Sequence, residues 1–254
     1  MGPIADTSLT IAARFAGPPG SGNGGYTAGR LARCLSTGEP VTVTLRRPPP
    51  LETELVVSRA AADREGDEVA LLTGDRSLVA VAARGGFDAA PPAAVGVEEA
   101  TAAESSYAGL SGHPFPGCFV CGPDRTAGDG MCLSPGRYAA GCTACVWTPD
   151  ASLAADDDVA RAAPEFVWAA LDCPGGWASD LESRPLVLGR MTAAYERLPS
   201  LHEPYVVVGA VRGGERRKTY TSTALYDAAG RLLGRAEHVW IAVDPSRFLS
   251  PPTG

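Results

Sequence analysis

Asn23, Gly24 and Gly25 stand directly before residues 26–35, which we predict to form a short helix. The first N–H groups of a helix have no intrahelical partner and lie at the positive end of the helix dipole. Glycine lets another group approach the backbone closely, and the Asn23 amide can donate a further hydrogen bond. This segment could therefore stabilise negative charge that develops on a carbonyl oxygen. The alternative is a plain turn that closes onto the helix.

Asp172 lies in residues 165–173, which we predict to form a second and more apolar helix. Burial beside apolar side chains such as Trp168 and Trp177 would raise the pKa of its carboxyl group. Such a group could deprotonate a water molecule or attack a carbonyl carbon itself. Because Pro174 follows two residues later, the helix is expected to break or kink there. The alternative is therefore that Asp172 belongs to a C-terminal turn.

The cysteines offer a competing interpretation. Cys118 and Cys121 form one Cys-x-x-Cys pair and Cys142 and Cys145 form another, at a spacing within the range of zinc ribbons. However, the second pair falls in a predicted strand, where residues three apart point to opposite faces. We therefore predict no metal ligands and interpret these cysteines as small core or turn residues. Cys173 is disfavoured as a nucleophile because no histidine has a spacing that nominates it as the base.

Three other polar features have less specific interpretations. His238 lies in a predicted strand, and we interpret it as a half-buried structural residue. The acidic run 156–158 precedes the second helix and is interpreted as a solvated loop that helps to cap it. Arg216, Arg217 and Lys218 could bind phosphate groups of a ligand at a sheet edge, and the alternative is an ordinary charged turn.

The order of predicted elements occurs twice along the chain. Residues 8–84 read as a strand, a glycine-rich turn, a helix and four strands, and residues 142–243 repeat that order. The turn in RRPPPLETELVV also corresponds to the turn in ERLPSLHEPYVVV. One helix packed on one antiparallel sheet is covered on one side only. Two such units side by side could surround both helices with a continuous sheet.

We therefore predict an α+β chain made of two tandem units. The N-terminal unit comprises residues 1–84, a linker comprises residues 85–117, and the C-terminal unit comprises residues 118–254. The linker is rich in Ala, Gly, Pro and Glu, and its residues 98–110 could be partly helical.

Composition narrows the class of protein. The chain has 254 residues, of which 45% are hydrophobic and 20% charged, as in ordinary globular proteins. Its net charge of −7 argues against nucleic acid or a membrane surface as the main partner. No stretch approaches the roughly 20 apolar residues of a membrane-spanning helix. The first residues also lack the pattern of a secretory signal, so we expect a cytoplasmic protein with reduced thiols.

The chain resembles the hotdog superfamily, in particular its acyl-CoA thioesterases. Asn23-Gly24-Gly25 is similar to the His-Gly-Gly of phenylacetate-type thioesterases, with asparagine replacing histidine. LDCPGGWA is similar to the helix segment that carries an acidic catalytic residue in that family, where the helix normally runs straight through. The patterns R-P-P…L-x-V and D-x-x-G-R-L-L-G-R-A are typical of hotdog sheets. The resemblance spans roughly residues 8–84 and 140–243. It implies a double hotdog, with a long central helix in each unit wrapped by an antiparallel sheet.

The resemblance also implies where a site would lie. In dimeric relatives one unit supplies a backbone N–H at its helix start, and the partner helix supplies an acid seven or eight residues after its own helix-start glycine. Here the seventh residue after Gly25 is Ala32, and the seventh residue before Asp172 is Glu165. One complete catalytic site is therefore implied, formed by Gly25 and Asp172. The related pair, Ala32 with Glu165, is expected to be inactive.

The activity implied is hydrolysis of an acyl-CoA or acyl-carrier thioester, with no cofactor beyond the CoA thioester substrate and with a homo-oligomeric assembly. The residues expected to bind substrate are Asn23, Gly24, Trp168 and, through the CoA phosphates, Arg216, Arg217 and Lys218. A non-catalytic protein that binds acyl thioesters or lipids in the same groove stays open as an alternative. A hotdog hydratase is disfavoured because the sequence has no Asp-x-Asn-Pro-x-x-His segment.

Overall fold

The computed structural model describes residues 7–35, 38–59 and 68–244, which contain three helices and eleven strands. The helices are α1 (Gly24–Ala32), α2 (Val97–Glu104) and α3 (Pro164–Trp177). The strands are β1 (Thr7–Thr10), β2 (Val41–Leu45), β3 (Glu54–Ser58), β4 (Glu68–Leu72), β5 (Leu78–Arg84), β6 (Gly136–Ala139), β7 (Cys142–Trp147), β8 (Leu186–Tyr195), β9 (Tyr205–Glu215), β10 (Lys218–Asp227) and β11 (Leu232–Ala242).

These strands form one antiparallel sheet with the order β1-β3-β4-β5-β2-β8-β11-β10-β9-β7-β6. The two halves meet where β2 pairs with β8, with Val43 opposite Met191. From that junction outward, the N-terminal half has the order β2-β5-β4-β3-β1 and the C-terminal half has the order β8-β11-β10-β9-β7. In both halves the strand that follows the helix lies at the junction, and the strand that precedes the helix lies furthest from it. This repeated order agrees with the repeat in the sequence. The short strand β6, which we did not predict, extends the C-terminal edge.

The main core lies between one face of this sheet and the two helices α1 and α3, which pack against each other. Alternation along β9 explains how both faces are used, because Val207 points into that core while Val206 and Val208 point away from it. Helix α2 covers this second face through Ala100 and Ala103. The helix expected within residues 98–110 therefore forms and shields the outer face of the C-terminal half.

Two expectations about element lengths need correction. The long central helix expected in each unit is not confirmed, because α1 has nine residues and α3 has fourteen. The first strand, which alternation in the sequence extends over residues 8–16, ends at Thr10, and a single 3₁₀ turn follows at Ala13–Phe15. This turn directs Phe15 onto Tyr26, with ring centroids 4.0 Å apart. Aromatic packing therefore overrides the alternation that had suggested a longer strand.

Helix α3 continues through Pro174 to Trp177, so the expected break after Asp172 is not found. Proline removes one backbone donor from a helix and so frees the carbonyl of Ala170, four residues earlier. Threonine hydroxyls from the sheet bind two neighbouring carbonyl groups: Thr143 donates to Pro174 O and Thr223 donates to Leu171 O, each at 2.7 Å. The sheet therefore holds this part of α3 in helical form and keeps Asp172 inside the helix.

His238 is a buried residue of β11 on the face that contacts α3. Its Nδ1 lies 3.1 Å from Thr221 Oγ1, and this hydroxyl oxygen accepts a hydrogen bond from Trp240 Nε1. The Thr221 proton can therefore be donated to a neutral imidazole. Burial lowers the pKa of His238 from 6.5 to about 4. The structural role expected for this residue fits these contacts, although it is fully rather than half buried.

We predict that His238 makes the fold less stable in acid. The folded protein keeps the ring neutral between about pH 6.5 and 4, whereas the unfolded chain binds a proton there, so stability falls as the pH decreases through this range. Between pH 7 and 5 the loss is about 2 kcal/mol. The raised pKa of Asp172 contributes a change of opposite sign over the same range in both proteins, so the His238 effect is measured as a difference. Between pH 7 and 5, urea unfolding should show that the wild type loses about 2 kcal/mol relative to His238→Gln. An equal change in both proteins would contradict the prediction.

Within the described part of the chain, no helix combines the length and apolar character needed to cross a membrane.

Candidate functional site

Gly25 and Asp172 come together where α1 packs against α3, although they lie 147 residues apart in the chain. The N–H of Gly25 donates to Asp172 Oδ2 over 2.8 Å. A Cβ atom at position 25 would lie 2.5 Å from Asp172 Cβ and 2.9 Å from the Trp168 carbonyl oxygen, so there is no room for a side chain. A backbone donor from one half thus meets a carboxylate from the other half.

Asn23 caps α1 and fixes the orientation of its own amide. Its Oδ1 accepts the N–H of Tyr26 at 2.8 Å, which is the usual N-cap hydrogen bond. The Nδ2 group is thereby turned toward Asp172 Oδ2, at 3.3 Å. Two donors, the Gly25 N–H and the Asn23 amide, converge on one point, and this point could bind an oxyanion.

Asp172 is a buried carboxyl group whose surroundings are mainly apolar, with a side chain that is 2% exposed. Burial raises the pKa of Asp172 from 3.8 to about 7, and the hydrogen bonds from Gly25 and Asn23 oppose this rise. Its second oxygen, Oδ1, has no hydrogen-bond partner among the described residues. The carboxyl group therefore retains one oxygen able to bind a water molecule or a ligand.

Asp172 lines a small cavity of about 40 Å³, which is room for one or two water molecules. The wall also includes Trp177, Leu181 and Trp240. A larger groove of about 400 Å³ lies beside it. The cavity and the groove share the residues Pro18, Gly24, Val187 and Leu188.

Arg46 and Arg47 line this groove and are exposed to solvent. The sequence analysis missed them, because nothing in the sequence indicated that the end of β2 would lie beside the start of α1. The groove thus extends from the cavity that contains Asp172 to two positively charged side chains. By contrast, Arg216, Arg217 and Lys218 lie in the β9–β10 hairpin and line neither space. Their expected contact with phosphates stays a prediction.

The pair that corresponds to Gly25 and Asp172 on the other side of the two helices consists of Glu165 and Ala32, and its surroundings differ. Ala32 and Trp168 line a separate cavity of about 420 Å³ there. Glu165 replaces the helix-start glycine, and its carboxylate accepts a hydrogen bond from Arg33 at 2.8 Å. Trp168, which we expected to bind substrate, therefore lines this cavity and not the one that contains Asp172. Position 165 thus lacks the helix-start glycine, and Ala32 stands at the position that corresponds to Asp172.

Three buried cysteines also line the cavity that contains Asp172. The Sγ atoms of Cys118, Cys121 and Cys173 all lie within 4.8 Å of one another. We call these residues the cysteine cluster. Hydrogen bonds from the neighbouring thiols lower the pKa of Cys118, and burial raises the pKa of Cys121. The sequence analysis had paired Cys118 and Cys121 with another Cys-x-x-Cys motif and did not anticipate Cys173, although it directly follows Asp172.

Comparison with known proteins identifies the fold that carries this site. No protein-family model and no curated protein sequence matches the chain. Among solved structures, it is similar to a hotdog-fold protein from Alicyclobacillus acidocaldarius, with a TM-score of 0.60, 11% identity and 94% of each chain covered. The chain has the hotdog fold. The resemblance predicted from the sequence is thus confirmed for the fold.

Two other solved structures are similar to the chain over a comparable length. The tesB protein of Mycobacterium avium subspecies paratuberculosis has a TM-score of 0.58 and 12% identity, and the match covers 94% of this chain and 93% of that one. A candidate thioesterase from Novosphingobium aromaticivorans has a TM-score of 0.59 and 14% identity, covering 94% of this chain and 96% of that one. Each match spans both halves of the present chain, so the double arrangement has structural counterparts.

Proposed function

We propose that this hotdog protein hydrolyses an acyl thioester of CoA or of an acyl carrier at the site formed by Gly25 and Asp172. The observation that carries the proposal is the pairing of a helix-start N–H with a buried carboxylate from the other half, 2.8 Å apart. The name of the similar structure from Novosphingobium aromaticivorans, a candidate thioesterase, supports the same class of reaction. A fold alone does not determine an activity, so the argument depends on the chemistry of the site.

In the proposed reaction the thioester carbonyl oxygen replaces Asp172 Oδ2 as the acceptor of the Gly25 N–H. Asp172 then takes a proton from a water molecule while the water oxygen bonds to the carbonyl carbon. The Gly25 N–H and the Asn23 amide stabilise the resulting oxyanion. When the C–S bond breaks, Asp172 returns the proton to the sulfur. The products are a carboxylic acid and a free thiol.

The neighbouring spaces suggest how the substrate binds. The groove of about 400 Å³ suits a pantetheine arm, and Arg46 and Arg47 at its wall suit the phosphates of CoA. The inner cavity of about 40 Å³ is small and mostly apolar, which favours a short acyl group. A cytoplasmic location and a homo-oligomeric state stay predictions.

A panel of acyl-CoA esters with a thiol-detecting reagent tests the proposal. We expect free CoA to be released fastest from short acyl chains. The same acyl group on N-acetylcysteamine, which lacks the phosphates, should show a higher KM. Binding of acyl-CoA in calorimetry without release of thiol would favour the non-catalytic alternative. An absence of both binding and release would overturn the proposal.

A further inference from the structure

The cysteine cluster has the spacing of a metal site. The Sγ atoms of Cys118 and Cys173 are 3.8 Å apart. Sulfur atoms bound at about 2.3 Å to a tetrahedral zinc ion lie about 3.8 Å from each other. Cysteines that merely fill a core have no reason to point at a common centre, and Cys145, which is equally buried, points elsewhere. We propose that Cys118, Cys121 and Cys173 bind one zinc ion beside the Asp172 cavity.

The loop that carries two of the ligands is shaped for this purpose. The N–H of Gly122 donates to Cys118 O at 2.9 Å. A Cβ atom at position 122 would lie 2.3 Å from Pro116 O, so a glycine is required to close this turn. The turn brings both loop sulfurs to the same side, where Cys173 of α3 meets them.

The groups around the sulfurs are hydrogen-bond donors. Trp177 Nε1 lies 3.4 Å from Cys121 Sγ, and Asn23 Nδ2 lies 3.8 Å from Cys118 Sγ and 4.0 Å from Cys173 Sγ. His113 Nδ1 accepts the N–H of Phe115, which leaves the proton of the neutral ring on Nε2.

His113 Nε2 lies 3.4 Å from Cys121 Sγ, so this histidine also donates a hydrogen bond to sulfur. Donors of this kind around metal-bound thiolates orient the ligands and offset their charge. Bound to a metal, the three cysteines would be thiolates, and the cation between them would offset their mutual repulsion. A zinc ion supplies that cation, and thiolates are ligands that zinc prefers.

The cysteine cluster lines the cavity that contains Asp172, so a fourth coordination position would face that cavity. Three sulfur ligands leave one tetrahedral position open, and the cavity of about 40 Å³ has room for a water molecule there. Asp172 Oδ1, buried and without a hydrogen-bond partner among the described residues, is available to accept a hydrogen bond from that water. The proposed zinc replaces the sequence-based expectation of no metal ligand, and it does not depend on thioester hydrolysis.

Metal analysis of the full-length protein tests this inference. After removal of metals with a chelator and incubation with zinc sulfate under reducing conditions, we expect about one zinc per chain after desalting. Cobalt in place of zinc should give the intense near-ultraviolet thiolate-to-cobalt absorption and the visible bands of tetrahedral coordination. Less than a tenth of an equivalent of zinc, or cobalt spectra without the thiolate band, would overturn the proposal whatever the enzymatic activity.

Matched variants identify the ligands. Cys173→Ala should lose the stoichiometric zinc and the cobalt band, whereas Cys145→Ala, which truncates another buried cysteine in the same way, should keep both. Circular dichroism shows which variants are folded. A folded Cys173→Ala protein that still binds a full equivalent would contradict the assignment. If Cys173→Ala does not fold, the zinc content and cobalt spectrum of the wild type decide the question.

Discussion

Asp172→Asn will lower kcat/KM for the best thioester substrate by about 10²- to 10⁴-fold, which is the usual contribution of a positioned general base. Asparagine keeps the size of the side chain, and its Oδ1 can still accept the N–H of Gly25, which Asp172 accepts now. The fold should therefore be preserved. The amide cannot take a proton from water, so the loss should appear mainly in kcat. Steady-state kinetics of thiol release on the purified variant measures the effect.

Glu165→Gln is the matched control for this substitution. Glu165 is a second carboxylate of α3 and is 7% exposed, but it is paired with Arg33 away from the cavity that contains Asp172. The change from acid to amide is the same, and the loss of a partly exposed ion pair costs about 1 kcal/mol or less. We expect unchanged kcat/KM. Retention of full activity by Asp172→Asn would remove Asp172 from the mechanism.

The repeat and the order of elements along the chain could be predicted because the alternation of apolar residues indicates which side chains are buried. Strands β2 to β5 and β8 to β11 all alternate or carry continuous apolar runs, and they are the four strands predicted after the helix in each half. Partners distant in sequence were harder to predict. Pro174 O and Leu171 O accept hydrogen bonds from Thr143 and Thr223, which belong to other elements. Local rules for proline therefore predicted a break that tertiary contacts prevent.

Part of the candidate site could also be predicted from the sequence. The proximity of Gly25 and Asp172 was expected from the way hotdog units pair, because each half lacks one of the two groups. The cysteine cluster depends instead on where the loop around Cys118 crosses α3. The N–H of Phe119 donates to Ala16 O at 2.7 Å, which ties this loop to the N-terminal half. Sequence spacing contains no information on that crossing, and it favoured the wrong pair of cysteines.

Gly25→Ala is expected to have the second large effect, on both stability and activity. The added methyl group would lie 2.5 Å from Asp172 Cβ and 2.9 Å from Trp168 O, so α1 and α3 must move apart. Overpacking of this kind costs about 1–3 kcal/mol. The displaced N–H would no longer point at the oxyanion position, and loss of one such donor lowers kcat by about 10²- to 10³-fold. Thermal unfolding and thiol-release kinetics measure the two effects.

Gly29→Ala separates the loss of packing from the loss of the donor. A Cβ at position 29 would lie 2.7 Å from Glu165 Cα and 2.8 Å from Trp168 Cβ, which is a similar clash one turn further along α1. Gly29 does not line the cavity that contains Asp172. Both variants should therefore lose comparable stability, while the alanine at position 25 loses far more activity. Equal losses of activity would mean that the helix interface matters as a whole and that the Gly25 N–H has no separate part in the reaction.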